Sequence, residues 1–455
     1  MHNPVIFREY DIRGVYNEHF DDKFAYQLGQ AVVVYLKNEK AIDNPTLVIG
    51  HDARLSCDAI VKALASGMTS SGANVIHIGL VTTPVCYFST FEIPGVHGAV
   101  QVTGSHNPPE YNGFKISSGR TTIFGEEIQK LRKIMEKEKY LSGSGKESTH
   151  DIFPQYLERY KKEFGTIKNT KIVLDCGNGA AGSIVRKLYN AVGLNPTILF
   201  EKPDGRFPNH HPDPTVDENL HDLKKAVLEE GAVCGIGFDG DADRIGVVDH
   251  KGNMLYGDEL MTLIARDILK KSPGAKIIGD VKCSDRMYED IRKCGGAPIM
   301  WKTGHSLIKE KIKEEKAPFG GEMSGHIFFA DRNYGYDDAP YAGLRLVEIL
   351  ANTGKTIPEL LTGLPKVFNT PEIRVDTTEE KKLIIVEKMK AAFGANNKDY
   401  KVNLIDGIRI SFSDGWALCR ASNTQPVLVL RYESTTQAGM EKIRAQVEAV
   451  VKPLL

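Results

Sequence analysis

The chain has 455 residues, enough for several ordinary domains with their own cores. Its 58 Lys and Arg residues nearly cancel its 59 Asp and Glu residues, so no global basic field argues for nucleic acid. No apolar run approaches the roughly 18 residues that span a membrane, and the first stretch carries Arg8, Glu9, Asp11 and Arg13 where a secretory leader needs an unbroken apolar core.

The seven cysteines are odd in number, scattered, and without a Cys-x-x-Cys pair. They read as reduced thiols acting as small core hydrophobes, which places the protein in the cytoplasm.

In chain order, three stretches follow one plan. The first has a strand at 46–50, a helix from Cys57 to Ser71, a glycine, and a strand at 74–79. The second has a strand at 171–175, the turn CGNGAAG, a helix to Ala191, and a strand at 196–200. The third has a strand at 275–280, a helix through Arg292, two glycines, and a strand at 298–304. β-branched strands alternating with helices that exit at glycine imply parallel sheets flanked by helices. Each unit is followed by one more short strand that runs into an unusual loop. These read HGAVQVTGSHNP, AVCGIGFDGDADR and APFGGEMSGH. Ligands of open α/β sheets lie beyond the carboxyl ends of strands, so the three loops are the expected sites.

The last part breaks the pattern. Residues 407–434 read as antiparallel strands with Asp414-Gly415 as a hairpin turn, and a helix follows from Gln437 to Val451. Linkers are expected near Gly143–His150, Lys251-Gly252 and Pro365–Pro371.

The second loop places Asp239, Asp241 and Asp243 at i, i+2 and i+4. Hard oxygen ligands converging from a loop select magnesium or calcium. An EF-hand begins the same way, but its glycine and glutamate positions hold Arg244 and His250 here. Without a cation the three carboxylates repel, and Arg244 beside them can hold a phosphate. The turn at Arg420, Ser422, Asn423 and Thr424 reads as an anion cradle or as an ordinary polar hairpin. The third loop offers Glu322, Ser324 and His326 among glycines, a clasp for sugar hydroxyls or a flexible connection.

Ser105, in the first loop, lies in neither a Ser-His-Asp signature nor a Gly-x-Ser-x-Gly elbow. His106 is its neighbour, and adjacent loop residues are expected to face apart. Beside a metal site, a phosphate cradle and a sugar clasp, Ser105 reads as a phosphoryl carrier. A phosphate oxygen on it would complete the metal's ligand set.

Thr-Gly-Ser-His-Asn-Pro, Gly-Asp-Ala-Asp-Arg, Gly-Glu-Met-Ser-Gly and Arg-Ala-Ser-Asn-Thr, in this order, resemble the alpha-D-phosphohexomutases, closest to the bacterial phosphomannomutase/phosphoglucomutase branch. The resemblance implies three similar mixed α/β domains and a C-terminal α+β domain, TATA-binding-protein-like, around a central cleft. The expected divisions are a phosphoserine domain at 1–148, a metal-binding domain at 149–252, a sugar-binding domain at 253–367 and a phosphate-binding domain at 368–455. It implies that phosphorylated Ser105, with Asp239, Asp241 and Asp243, holds Mg2+. Glu322, Met323, Ser324, Gly325 and His326 would meet the sugar, and Arg420, Ser422, Asn423 and Thr424 its non-reacting phosphate. Tyr10, Arg13, Lys115, Lys282 and His305 match further substrate-facing residues, with Arg13, Lys115 and Arg244 acting in catalysis. Lys115 and Arg13, with His326 behind them, are the candidates for a general base.

The activity implied is reversible phosphate transfer between positions 1 and 6 of mannose or glucose phosphates through a hexose 1,6-bisphosphate. Phosphoglucosamine mutase is the alternative, although Met323 stands where that branch carries glutamine. The expected partner is a small sugar phosphate, with no nucleic acid, no membrane and a monomeric chain. His210 and His211 in FPNHHPDP read as a structural loop rather than a metal site.

Overall fold

The computed structural model describes residues 3–394, 398–423 and 425–455. Its contacts divide the chain into two compact units, one of residues 1–264 and 324–360, the other of residues 265–323 and 361–455.

The first unit contains two of the three repeats. In the first repeat, the strands Thr46–His51, Asn74–Leu80 and Gly98–Val102 pair in parallel, with Thr46–His51 in the middle. The strand Tyr111–Ser118 then runs back antiparallel beside Gly98–Val102. The second repeat copies this order. Ile172–Asp175 lies between Thr197–Leu199 and Cys234–Phe238, both parallel to it, and Ile245–Asp249 returns antiparallel. The sheets are thus mixed, not purely parallel. The reason is loop length: residues 103–110 and 239–244 are too few for a crossover, so the next strand must double back.

The second unit holds the third repeat. Lys276–Asp280 pairs in parallel with Ala297–Trp301 on one side and Phe319–Gly321 on the other. The edge strand ends at Trp301, short of the expected 304, because the Thr303 amide donates to Asp406 Oδ2 at 3.0 Å and leaves the ladder. The same unit contains the antiparallel sheet Tyr400–Asn403, Ile408–Phe412, Gly415–Ala421 and Val427–Ser434. The hairpin turn is Ser413-Asp414, and Gly415 already belongs to the next strand. Helices Glu379–Phe393 and Gln437–Val451 contribute Ile385, Met389, Ile443 and Val447 to a core shared with Ile408, Leu428 and Tyr432.

Within this unit Trp416 joins the two parts. It is fully buried, with the Arg409 guanidinium 3.6 Å from its ring centre. Arg409 also donates to the Cys283 carbonyl at 2.9 Å, in the turn after Lys276–Asp280, and to Asp285 at 2.8 Å, where the helix Asp285–Lys293 opens. Among the described residues no helix is long and apolar enough to cross a membrane.

Candidate active site

Each repeat delivers its loop from the strand beside the central one. In the first, Ser105 follows Gly98–Val102 with φ +50°, a left-handed conformation rare for a residue with a side chain. Its Oγ lies 3.0 Å from Asp239 Oδ2. Its neighbour does not face away: His106 Nδ1 is 3.2 Å from Ser105 Oγ, across the left-handed turn at Ser105.

In the second, Asp239, Asp241 and Asp243 are fully buried. One oxygen from each lies within 4.8 Å of the others. Asp239 Oδ1 accepts the amides of Asp243 and Arg244 at 3.0 and 3.1 Å. Ala242, at φ +58°, makes the tight turn that lets alternate carboxylates point inward.

Lys115, on the antiparallel strand after the Ser105 loop, donates from Nζ to Asp241 Oδ2 at 2.6 Å and to Asp243 Oδ2 at 2.5 Å. Burial disfavours its charge, but Asp241 and Asp243 outweigh burial and hold its pKa well above the ordinary lysine value. Thr83 Oγ1 also donates to Asp241, at 2.5 Å. The Oδ1 atoms of Asp241 and Asp243 are left buried and without a hydrogen-bond partner. Burial, followed by the charges of Asp241 and Asp243, pushes the Asp239 carboxyl well above its usual range. Two orphaned carboxylate oxygens and a site short of positive charge fit a hard divalent cation, so these residues suit the metal that the sequence implies.

Arg244 donates from Nε to His326 Nε2 at 2.9 Å, and His326 Nδ1 stands 2.9 Å from Asp337 Oδ2. Arg13 NH1 donates to Asn107 Oδ1 at 2.7 Å and to the Gly104 carbonyl at 3.4 Å. Tyr10 is buried in this same unit.

The second unit holds the other residues singled out in the sequence. Glu322 follows Phe319–Gly321 and accepts the Gly304 amide; Met323 donates its amide to Asp280 Oδ1 at 3.3 Å. Thr303 donates to Asp280 through Oγ1 at 3.0 Å and to Asp406 through its amide, and Asp406 Oδ2 accepts Arg420 Nε at 2.9 Å. One chain of hydrogen bonds therefore links the Glu322 loop to Arg420. His305 opens the helix His305–Glu315 and is buried.

Lys282 donates to Glu372 at 3.1 Å. The Glu372 carboxyl is pushed down to about 2, because Lys282 and Arg374 outweigh the effect of its burial. Ser422 Oγ accepts the Gln425 amide at 3.2 Å, Asn423 is exposed, and Thr424 lies outside the described residues. The division between the units falls between Met323 and Ser324, so Ser324, Gly325 and His326 belong to the first unit.

Sequence reasoning missed Asp52, Arg54, Thr83, Asp280, Asp337 and Asp406. Asp280 had a signal, since it ends the strand predicted at 275–280, and Asp52 lies just beyond the strand predicted at 46–50. His210 pairs with Asp175 at 3.2 Å.

Three α/β repeats, the first two with mixed sheets, an antiparallel fourth part and a buried serine against an acidic trio point to a class of phosphoryl-transfer enzymes. Four family models match in order: Phosphoglucomutase/phosphomannomutase alpha/beta/alpha domain I at residues 4–142, domain II at 154–252, domain III at 256–368, and the C-terminal domain at 372–450. The chain belongs to the phosphoglucomutase/phosphomannomutase family. It is 44% identical to a phosphomannomutase/phosphoglucomutase of Pseudomonas aeruginosa over 441 residues, 96% of this chain and 94% of that protein. It is 42% identical to a phosphoglucomutase of Neisseria gonorrhoeae over 449 residues, 98% of this chain and 96% of that protein. A solved structure of a phosphoglucomutase/phosphomannomutase family protein from Burkholderia thailandensis matches with TM-score 0.92 and 40% identity, covering 100% of this chain and 98% of that one.

Proposed function

We propose that this chain is a phosphohexomutase that moves phosphate reversibly between positions 1 and 6 of mannose or glucose phosphates, through phosphorylated Ser105 and a hexose 1,6-bisphosphate. The observation that carries this reading is the contact of Ser105 Oγ with Asp239 inside a buried, cation-deficient carboxylate trio. In the first half-reaction the bond between phosphorus and Ser105 Oγ breaks and a sugar hydroxyl takes the phosphoryl group. The hydroxyl loses its proton and Oγ regains one. The bisphosphate turns over, and its other phosphate returns to Ser105.

Asp239, Asp241 and Asp243 would hold Mg2+. When bound it supplies positive charge to the transferring phosphoryl oxygens. Lys115 orients two of the carboxylates, and its retained charge suits it to that task better than to accepting a proton. Arg244, held by His326, adds fixed positive charge, and such preorganised electrostatics supply most of phosphoryl-transfer catalysis. Glu322 and Ser324 are assigned to sugar hydroxyls, and Arg420, Ser422, Asn423 and Thr424 to the non-reacting phosphate.

A coupled assay with mannose, glucose and glucosamine 1-phosphates, started with a trace of hexose 1,6-bisphosphate, tests this. Turnover of the first two is expected. No turnover of any overturns the proposal, and best activity on glucosamine 1-phosphate reassigns the substrate.

A further inference from the structure

We propose that Asp52 and Arg54 are positioning residues for Ser105, fixing from beneath the loop that carries it; this rests on Ser105 being the phosphoryl carrier. Both are buried, at 1% and 2% exposure, so neither is a surface ion pair. All five guanidinium N–H donors of Arg54 are engaged, each on a different bond. Nε donates to Asp52 Oδ2 at 3.2 Å. One terminal nitrogen donates to the carbonyls of Pro108 and of Tyr111, the latter at 2.8 Å. The other donates to the carbonyl of Ser105 itself at 2.8 Å and to that of Asn107 at 2.6 Å.

Asp52 holds the loop's entry in turn. Its Oδ2 accepts Thr103 Oγ1 at 2.7 Å and the Gly104 amide at 3.1 Å, and Thr103 Oγ1 accepts the Ser105 amide at 2.8 Å. Ser105 is therefore gripped at its amide side through Thr103 and Asp52, and at its carbonyl by Arg54. A side-chain-bearing residue keeps φ +50° only where its surroundings over-determine it, and these bonds do so. The Phe207 ring closes the arrangement, 5.2 Å from the guanidinium.

The fold repeats the device. In the third repeat Asp280 ends the central strand, as Asp52 directly follows it in the first; a cation comes two residues later as Lys282, and Asp280 accepts a backbone amide of the next loop, that of Met323. Asp-x-Arg and Asp-x-Lys thus stand at corresponding ends of the central strands, each under a candidate loop. In the second repeat Asp175 is followed by Gly177 instead, and its nearest basic partner comes from the separate loop at His210. Only the first copy aims its cation at the carbonyl of a reacting residue.

Arg54→Lys and Gly104→Ala test this from two sides. Lysine keeps a cation beside Asp52 but, as a point charge, cannot span four carbonyls. Gly104→Ala keeps the arginine itself, but the added methyl would stand 2.4 Å from the guanidinium carbon, so guanidinium and loop must move apart. The assay measures kcat, KM and the rate at which Ser105 gains phosphate from hexose 1,6-bisphosphate in one turnover. Misplacing a reacting group by about 1 Å costs roughly 100-fold, so kcat and the single-turnover rate should fall about that much while KM stays within about threefold. Folded variants with wild-type kcat, or with a loss wholly in KM, overturn the proposal. If Arg54→Lys does not fold, Gly104→Ala decides alone. A wild-type protein that neither turns over nor gains phosphate on Ser105 removes the parent reading, and this one with it. An active wild type with an unaffected Gly104→Ala removes this one only.

Discussion

Gly240 presses on Ser105: a methyl group on Gly240 would stand 2.3 Å from the Ser105 carbonyl oxygen. That contact sets the spacing between the serine loop and the carboxylate loop. Gly240→Ala must push the two apart, and we expect kcat to fall by about 100-fold with the fold intact, as for other ångström-scale displacements of a reacting group. Steady-state kinetics beside a thermal melt of the same sample checks this.

Asp243 supplies an orphaned buried oxygen on one side and holds Lys115 on the other. Asp243→Asn removes one charge from the trio and leaves Asp241 as the charged partner of Lys115. Magnesium affinity, read by calorimetry without substrate, should weaken by at least the roughly 10–100-fold typical of losing a mere supporting partner. An unchanged titration would refute the assignment of the trio.

Asp338 caps the helix Ala339–Thr353 by accepting the Tyr341 amide at 2.9 Å, and Tyr156 and Tyr160 donate to it at 3.1 Å. These bonds and the helix dipole favour the carboxylate, but burial wins and pushes its pKa up to about 7. A raised folded-state pKa gives stability that is fully present below the unfolded value of about 3.9 and lost as pH rises through about 7. Asp338→Asn removes this titration. Between pH 5 and 8 its melting temperature should gain on wild type by several degrees. A constant difference across that range would show that Asp338 keeps an ordinary pKa.

The candidate loops were legible because each is short, polar and fed by an apolar strand, so Ser105 and the trio stand out locally. The supports beneath them were not. Arg54 belongs to the Ser105 site only because the strand Gly98–Val102 lies beside Thr46–His51, a tertiary fact with no local signature. The helix Ala339–Thr353 went unread because it is buried almost all round along much of its length, so apolar periodicity gives little signal. The strand expected to reach 304 stops early because Thr303 has a distant partner, Asp406.

Trp416 sits against Arg409 and donates to Glu433 at 2.8 Å, all buried. Trp416→Ala should cost about 3–5 kcal/mol, the usual range for deleting a large buried ring. The second unit should melt first in differential calorimetry. A variant that melts like wild type would mean the ring carries little of that unit's packing.

Sugar preference gives a further check. Mannose and glucose differ only at C2, while Glu322 and Ser324 are assigned to hydroxyls that both sugars share. Their kcat/KM values should agree within about two orders of magnitude, the reach of weak pocket discrimination. A far larger ratio would require a buried polar contact at C2.

Lys115 offsets one of the three carboxylates of the trio, leaving a deficit suited to a divalent ion. With Ser105 phosphorylated as proposed, about two more negative charges arrive beside Asp239. Phosphate and cation are then linked ligands of one site. The factor by which phosphoserine tightens the cation is, by thermodynamic reciprocity, the factor by which the cation shifts the equilibrium toward phosphoserine. At equilibrium with its sugar phosphates, which give and take the phosphoryl group, the enzyme's phosphorylation level would then rise and fall with its metal supply.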